Sequence, residues 1–152
     1  MFSWLRSEQR ERRRKIRVDR EHLEARSRRF LKIFLNADET RKPQFYRVVE
    51  EASTRCHPAA SGLPPAELDD AQIAQAASNA AMEIVLERIA STKNDRTADF
   101  VTDAYATVAV AYRRAAGAYT MNKEMQELGT AAVHLLTMAT SYVRAQNENV
   151  QT

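Results

Sequence analysis

A chain of 152 residues with 3 Gly, 4 Pro and 1 Cys has too few turn residues for an all-β fold and no cysteine pair for an internal disulfide. Hydrophobic residues make up 44% of the chain and charged residues 28%, which is typical of one globular domain. No run of about 18 apolar residues occurs, so the sequence contains no predicted membrane-spanning helix.

The predicted fold class is therefore all-α: a helical bundle of four or five helices with a long, basic N-terminal helix. The single cysteine, Cys56, and a first segment that lacks a secretory apolar run predict a cytoplasmic protein. The composition, rich in Ala and Arg, adds the expectation of a bacterial or phage source.

The net charge of +3 conceals an uneven distribution along the chain. Residues 1–34 carry 12 Arg and Lys against 5 Asp and Glu, a charge of +7. The remaining 118 residues carry 11 against 15, a charge of −4. A basic arm on a mildly acidic remainder predicts electrostatic docking to an anionic surface, which leaves nucleic acid, a membrane, an acidic protein or another part of the same chain as candidates.

Residues 1–35 form the predicted basic N-terminal helix, with an apolar tip over residues 1–5 and helical periodicity from residue 6. Its apolar stripe consists of Ile16, Leu23, Phe30, Leu31 and Phe34. The turns from Arg6 to Lys15 have no apolar face. We expect those turns to project into solvent or to meet a charged partner.

A loop and a short helix are predicted over residues 36–57. Pro43 suits the first turn of that helix, where its missing N–H removes no hydrogen bond. The inward side chains are predicted to be Phe45, Val48, Val49 and Ala52. Residues 58–65, rich in Pro, Gly and Ser, are predicted to be a linker within a single domain of residues 1–152.

A three-helix antiparallel core is predicted over residues 66–146, followed by a tail of residues 147–152. Its first helix is expected to begin near Pro65 to Glu67, and its second to end at Gly117 or Asn122. The inward positions of the second helix are predicted to be Val101, Ala104, Val108, Ala111, Tyr112 and Ala115. Those of the third are predicted to be Met125, Leu128, Ala132, Leu135, Ala139 and Tyr142. Such regular, Ala-rich faces also predict a homo-oligomer, in the first place a homodimer.

The basic arm carries the candidate binding residues. A first cluster comprises Arg10, Arg12, Arg13, Arg14, Lys15 and Arg17, and a second comprises Arg26, Arg28 and Arg29. Ten of the twelve basic residues in the arm are Arg, whose guanidinium suits bidentate contact with phosphate or carboxylate. These clusters predict contact with a protein partner or with nucleic acid.

Two other interpretations of the arm remain open. The pairs Glu8–Arg12, Glu11–Lys15 and Glu24–Arg28 have the favourable i,i+4 order, which is typical of a solvated helix that needs no partner. Alternatively, Phe2, Trp4 and Leu5 form a membrane-surface tip, although an apolar face of one turn predicts only weak, reversible membrane binding.

No catalytic, cofactor-binding or metal-binding residues are predicted. The sequence lacks the Glu-x-x-His pairs of bundled di-metal sites, and its three glycines are scattered rather than clustered as in phosphate-binding loops. The adjacent Cys56 and His57 are interpreted as a helix end rather than a catalytic dyad. An enzyme site formed by His134, Tyr112 and Cys56 is kept as a third hypothesis.

The function predicted from the sequence is a non-catalytic helical interaction protein, namely an adaptor, an inhibitor or an assembly subunit. It would dock on a protein partner through helix faces and the basic arm. The first alternative is a nucleic-acid-binding or regulatory protein that uses residues 6–29, and the second is a peripheral membrane protein that uses the apolar tip.

Overall fold

The computed structural model describes residues 2–58, 68–91 and 96–151; within these, residues 2–5, 15–21, 96–98 and 150–151 are described by backbone alone. The helices are α1 (Phe2–Asn36), α2 (Lys42–Cys56), α3 (Asp70–Ser91), α4 (Arg96–Ala115) and α5 (Lys123–Gln151). The described residues contain no strand, so the predicted all-α class is confirmed. No helix in the described ranges is long and apolar enough to cross a membrane.

Helix α4 lies at the centre of the packing and contacts each of the other four helices. Every residue from 102 to 111 is buried, which amounts to about three turns covered on all sides. Ser78 Oγ donates to the carbonyl of Ala109 at 2.9 Å, and Arg88 Nε donates to Thr102 Oγ1 at 3.1 Å. Because the later residue of α3 meets the earlier residue of α4, these two helices run antiparallel.

Three aromatic rings join α1, α2 and α4. The centroid of Phe30 lies 5.3 Å from that of Phe45 and 5.5 Å from that of Phe100, and Phe45 lies 5.2 Å from Phe100. Ring pairs at these separations add attraction beyond the burial of their apolar area. The cluster therefore fixes the C-terminal half of α1 against the bundle.

The predicted apolar stripes account for most of the core. On α1 the buried members of the stripe are Leu23, Phe30, Leu31 and Phe34, and on α5 they are Met125, Leu128, Ala132, Leu135 and Ala139. Ile16 falls among the residues described by backbone alone. Ala115 is exposed rather than inward, because it is the last residue of α4 and the chain turns away after it.

Helix α3 begins at Asp70, a few residues later than the start predicted near Pro65 to Glu67. Asp69 and Gln72 form a reciprocal cap: Gln72 N–H donates to Asp69 Oδ1 at 2.8 Å, and Asp69 N–H donates to Gln72 Oε1 at 3.0 Å. This capping box satisfies two backbone donors at once and sets the start of the helix. Most of the predicted linker, residues 59–65, lies outside the described residues.

The connection from α4 to α5 uses a glycine with positive φ. Ala118 N–H bonds the carbonyl of Arg113 at 3.0 Å and Gly117 N–H bonds that of Arg114 at 3.1 Å, the two bonds of a Schellman motif. Gly117 has φ +85°, a conformation that is strained for residues with a Cβ. Asn122 then caps α5 by accepting from Met125 N–H at 3.2 Å.

Candidate partner-binding face of the first helix

The segment from Arg6 to Arg14 is helical, and all nine of its residues are exposed. A helix that lies on another element buries at least one residue in every turn. This segment makes about two and a half turns without doing so. It is therefore an exposed helical segment, continuous with the anchored half of α1.

The exposed arginines are not spread evenly around this helix. At 100° per residue, four of them fall within a sector of about 100° along one face. These four, called the basic stripe below, are Arg6, Arg10, Arg13 and Arg14. They span about 12 Å along the helix axis, so one face presents four guanidinium groups to any surface that it meets.

The opposite side of the helix has a different charge. Glu8 lies nearly opposite the centre of the basic stripe, and Arg12 lies on the same side as Glu8, one turn later. Glu11 flanks the stripe, about 60° from Arg14. Of the predicted binding residues, Arg12 thus lies outside the sector that holds Arg10, Arg13 and Arg14. The charges are segregated by face rather than alternated around the helix.

The side chains of two predicted binding residues, Lys15 and Arg17, lie outside the described part of the chain. The same holds for the side chains of Phe2, Trp4 and Leu5, the predicted membrane tip, whose backbone belongs to α1. The membrane hypothesis therefore rests on the sequence alone.

The arginines of the second cluster differ in their contacts: Arg26 and Arg29 bond a buried carboxylate, and Arg28 does not. Arg29 donates twice to the carboxylate of Asp103 on α4, from Nε to Oδ2 at 2.7 Å and from Nη2 to Oδ1 at 2.8 Å. Arg26 adds a third bond, from Nη1 to Oδ1 at 3.0 Å. The Asp103 side chain is only 5% exposed, so these two arginines neutralise a buried carboxylate.

The remaining contacts of this cluster fix its geometry. Arg26 Nε donates to His22 Nε2 at 3.0 Å, and its Nη1 lies 3.9 Å from the half-exposed carboxylate of Asp99. Hydrogen bonding to Asp103 raises the pKa of Arg29 above its usual value. Arg28 remains exposed, and its Nη2 lies 3.8 Å from the sulfur of Met125. Arg26 and Arg29 therefore anchor α1 to α4.

Sequence reasoning missed Asp103 as the partner of these arginines. Its signal was present, because Asp103 interrupts Val101 to Tyr112, the most apolar run of the chain. A lone carboxylate in a buried helical run requires a cation nearby. The sequence does not indicate which cation this is, because Arg29 lies 74 residues earlier in the chain.

The residues of the enzyme hypothesis are divided between two places. Tyr112 shares a hydrogen bond of 2.6 Å with Ser53 of α2, and nearby Cys56 is buried. Burial raises the pKa of the Cys56 thiol to about 11, so the nucleophilic thiolate is disfavoured at neutral pH. His134 is exposed on α5 and lines a pocket with Arg114 that neither Tyr112 nor Cys56 lines.

Within the described ranges, His, Cys, Asp and Glu side chains form no group of three that could hold a metal ion. The chain matches no protein-family model, no curated protein and no solved structure. The candidate site is therefore defined by geometry alone: an exposed helical segment with the basic stripe on one face.

Proposed function

We propose that this protein is a non-catalytic helical interaction protein, an adaptor, inhibitor or assembly subunit, which docks through the basic stripe on an acidic surface of a protein partner. The observation that carries the proposal is the full exposure of residues 6 to 14 on a helix that continues into the core. A charged helix whose side chains are exposed presents them to other molecules.

The anchored half of α1 fixes the direction of the exposed segment, residues 6 to 14. Leu23, Phe30 and Phe34 are buried, and Arg26 and Arg29 bond Asp103, so the direction of the helix is fixed by the bundle. A binding element that is ordered before it meets its partner loses less conformational entropy on association. In this proposal the bundle orients the basic stripe before the partner binds.

The distribution of charge favours a protein partner over nucleic acid. Residues 35–152 carry 11 basic against 15 acidic side chains, and this negative remainder would repel a phosphate backbone beside the arm. Glu8, opposite the basic stripe, and Glu11, beside it, would repel it as well. An acidic groove of a protein needs only one basic face, which is what the helix offers.

Two further expectations belong to the same proposal. The protein acts in the cytoplasm, consistent with Cys56 being a buried free thiol. It also assembles as a homodimer, for which the exposed apolar side chains of Ile33 and Leu35 supply contact area outside the basic stripe.

The test compares two neighbouring arginines, one inside the basic stripe and one about 100° around the helix from it. Arg13→Gln and Arg12→Gln remove the same charge, but only Arg13 belongs to the basic stripe. A nuclease-treated lysate is passed over the immobilised full-length chain to recover the partner, and its affinity for each variant is then measured by calorimetry. We expect Arg13→Gln to weaken binding about tenfold and Arg12→Gln to change it less than about twofold.

Equal losses for the two variants would refute docking by one face. If nuclease treatment empties the pull-down, and duplex DNA binds with a steep salt dependence that both variants reduce alike, the nucleic-acid function replaces the proposed one. If only anionic vesicles bind the chain, the membrane function replaces it.

A further inference from the structure

A second basic surface lies far along the chain from the arm. A concavity of about 580 Å³ opens between the end of α4 and the first turns of α5. Its nitrogen-bearing basic lining residues are Arg114, Lys123 and His134, and Glu127 is its carboxylate. We call this concavity the Arg114 pocket. Its volume is in the range of sites for small molecules.

A glycine inside α5 sets the course of the Arg114 side chain. A Cβ on Gly129 would lie 2.7 Å from Arg114 Cβ and 2.9 Å from its Cγ, closer than carbon atoms approach. The Arg114 stem therefore lies directly on the backbone of α5, where only glycine leaves room. Glycine in a helix interior is unfavourable relative to alanine. Gly129 therefore lowers the stability of α5, but it allows Arg114 to pack against the helix backbone.

The Arg114 guanidinium has an unsatisfied donor. Its Nε is buried and has no hydrogen-bond partner. A buried donor without an acceptor is unfavourable, and a planar guanidinium binds the oxygens of an anion in a bidentate manner. A rotation of the Arg114 side chain toward the pocket would let an oxyanion bound there supply the missing acceptor.

The other polar groups of the pocket narrow the ligand class. Thr130 Oγ1 donates to the carbonyl of Gln126 at 2.7 Å, and Gln126 Nε2 donates to the carbonyl of Thr120 at 2.7 Å. These donors are engaged internally, which leaves the cationic side chains to bind the ligand. Arg and Lys together balance a doubly charged group better than a single carboxylate.

We propose that the Arg114 pocket binds the phosphate group of a small phosphorylated molecule. Arg114 and Lys123 hold the phosphate oxygens, and His134 adds a third nitrogen at the far end of the pocket. Glu127 accepts a hydrogen bond from a hydroxyl group of the ligand. A bare phosphate leaves much of the volume empty, whereas a phosphorylated polyol of a few carbons fills more of it.

The test titrates the full-length chain with glycerol 3-phosphate and, separately, with inorganic phosphate, at constant ionic strength, and follows backbone amide shifts by NMR. We expect saturable shifts on α5 around Lys123 to His134 with both probes, and tighter binding of glycerol 3-phosphate. Lys123→Gln, an exposed substitution that preserves the core, should weaken binding about tenfold. Lys32→Gln, an exposed lysine on α1, is the charge-matched control and should leave binding unchanged.

Arg114→Lys is a second variant, which retains the charge but loses the bidentate geometry. Weaker binding by this variant with an unchanged thermal midpoint supports the assignment. Unsaturated shifts, shifts confined to the arm, or equal losses in Lys123→Gln and Lys32→Gln would overturn it. None of these outcomes depends on the protein partner of the basic stripe, so failure here leaves the proposed function standing.

Discussion

Arg29 and Asp103 form a two-pronged ion pair across the α1–α4 interface, with donor–acceptor distances of 2.7 and 2.8 Å. The carboxylate is 5% exposed and the guanidinium 51%, so the buried partner depends on the pair more than the exposed one does. Arg26 Nη1 bonds Oδ1 of the same carboxylate at 3.0 Å. This ion pair lies within the anchored part of α1, which also includes the buried Leu23.

Loss of the Asp103 charge is expected to destabilise the protein. Asp103→Asn leaves Arg26 near an uncharged amide inside the bundle, which should lower the free energy of unfolding by about 1–3 kcal/mol. Asp99→Asn is the matched control, because its carboxylate is 54% exposed and 3.9 Å from Arg26, and it should cost less than about 1 kcal/mol. Urea denaturation measures the free energy of unfolding of both variants. Equal decreases would contradict the anchoring role of Asp103.

The aromatic cluster should dominate the attachment of α1. Phe30→Ala removes a ring that is 1% exposed and lies against Phe45 and Phe100, so we expect a loss of about 3–5 kcal/mol. Leu35→Ala on the same helix removes a side chain that is 71% exposed and should change stability by less than about 0.5 kcal/mol. Thermal or urea unfolding monitored by circular dichroism tests the difference; similar midpoints for both variants would place the anchor elsewhere.

The basic stripe should contribute to binding and not to folding. Because Arg10, Arg13 and Arg14 are exposed, their joint replacement by Gln should leave the free energy of unfolding within about 0.5 kcal/mol of the original. The same triple variant should fail to bind the acidic partner. A large drop in its unfolding midpoint would mean that these arginines pack within the protein, contrary to their exposure.

The turn after α4 depends on the conformational freedom of Gly117. With φ at +85°, Gly117→Ala should cost about 1–2 kcal/mol, because a Cβ is crowded in the left-handed region. Gly117→Asn is the informative comparison, since asparagine tolerates this region better and should cost less than alanine does. Chemical denaturation ranks the two variants, and an alanine variant as stable as the original chain would show that the Schellman turn is dispensable.

Buried Cys56 predicts a loss of stability in alkali. Its pKa in the folded protein is raised to about 11 from an ordinary value of 9.0, so between these pH values the unfolded chain releases a proton that the folded chain retains. Stability due to this group is therefore complete below pH 9 and decreases as the pH rises toward 11. Cys56→Ala should be less stable at neutral pH, because it leaves a small cavity, and should show a flatter decrease over that range. Parallel slopes for the two proteins would assign the alkaline loss to other groups.

Much of the local structure could be predicted from the sequence. The stripe through Leu23, Phe30 and Phe34 repeats with the helical period, and burial follows from that period once the helix packs on anything apolar. The start of α3 was misplaced, because the capping box of Asp69 and Gln72 competes with Pro65 as a start signal. Local signals of similar strength leave such boundaries uncertain by a few residues.

The division of the arginines could not be predicted in this way. Arg26, Arg28 and Arg29 look alike in sequence, yet Arg26 and Arg29 bond a buried carboxylate, whereas Arg28 lies near the sulfur of Met125. Likewise, Gly129 gives no sign in the sequence that it makes room for Arg114. In each case the deciding neighbour belongs to another helix.

The sequence by itself determined that this chain is helical, which faces of its helices are apolar, and that its first turns carry charge without an apolar side. These properties follow from hydrogen bonds and side-chain spacing within a few residues. Only the tertiary structure decided that α4 is central, that Arg26 and Arg29 are engaged, and that residues 6 to 14 are exposed. The physical reason is distance along the chain: Arg29 and Asp103, 74 residues apart, become neighbours only when the helices pack around α4.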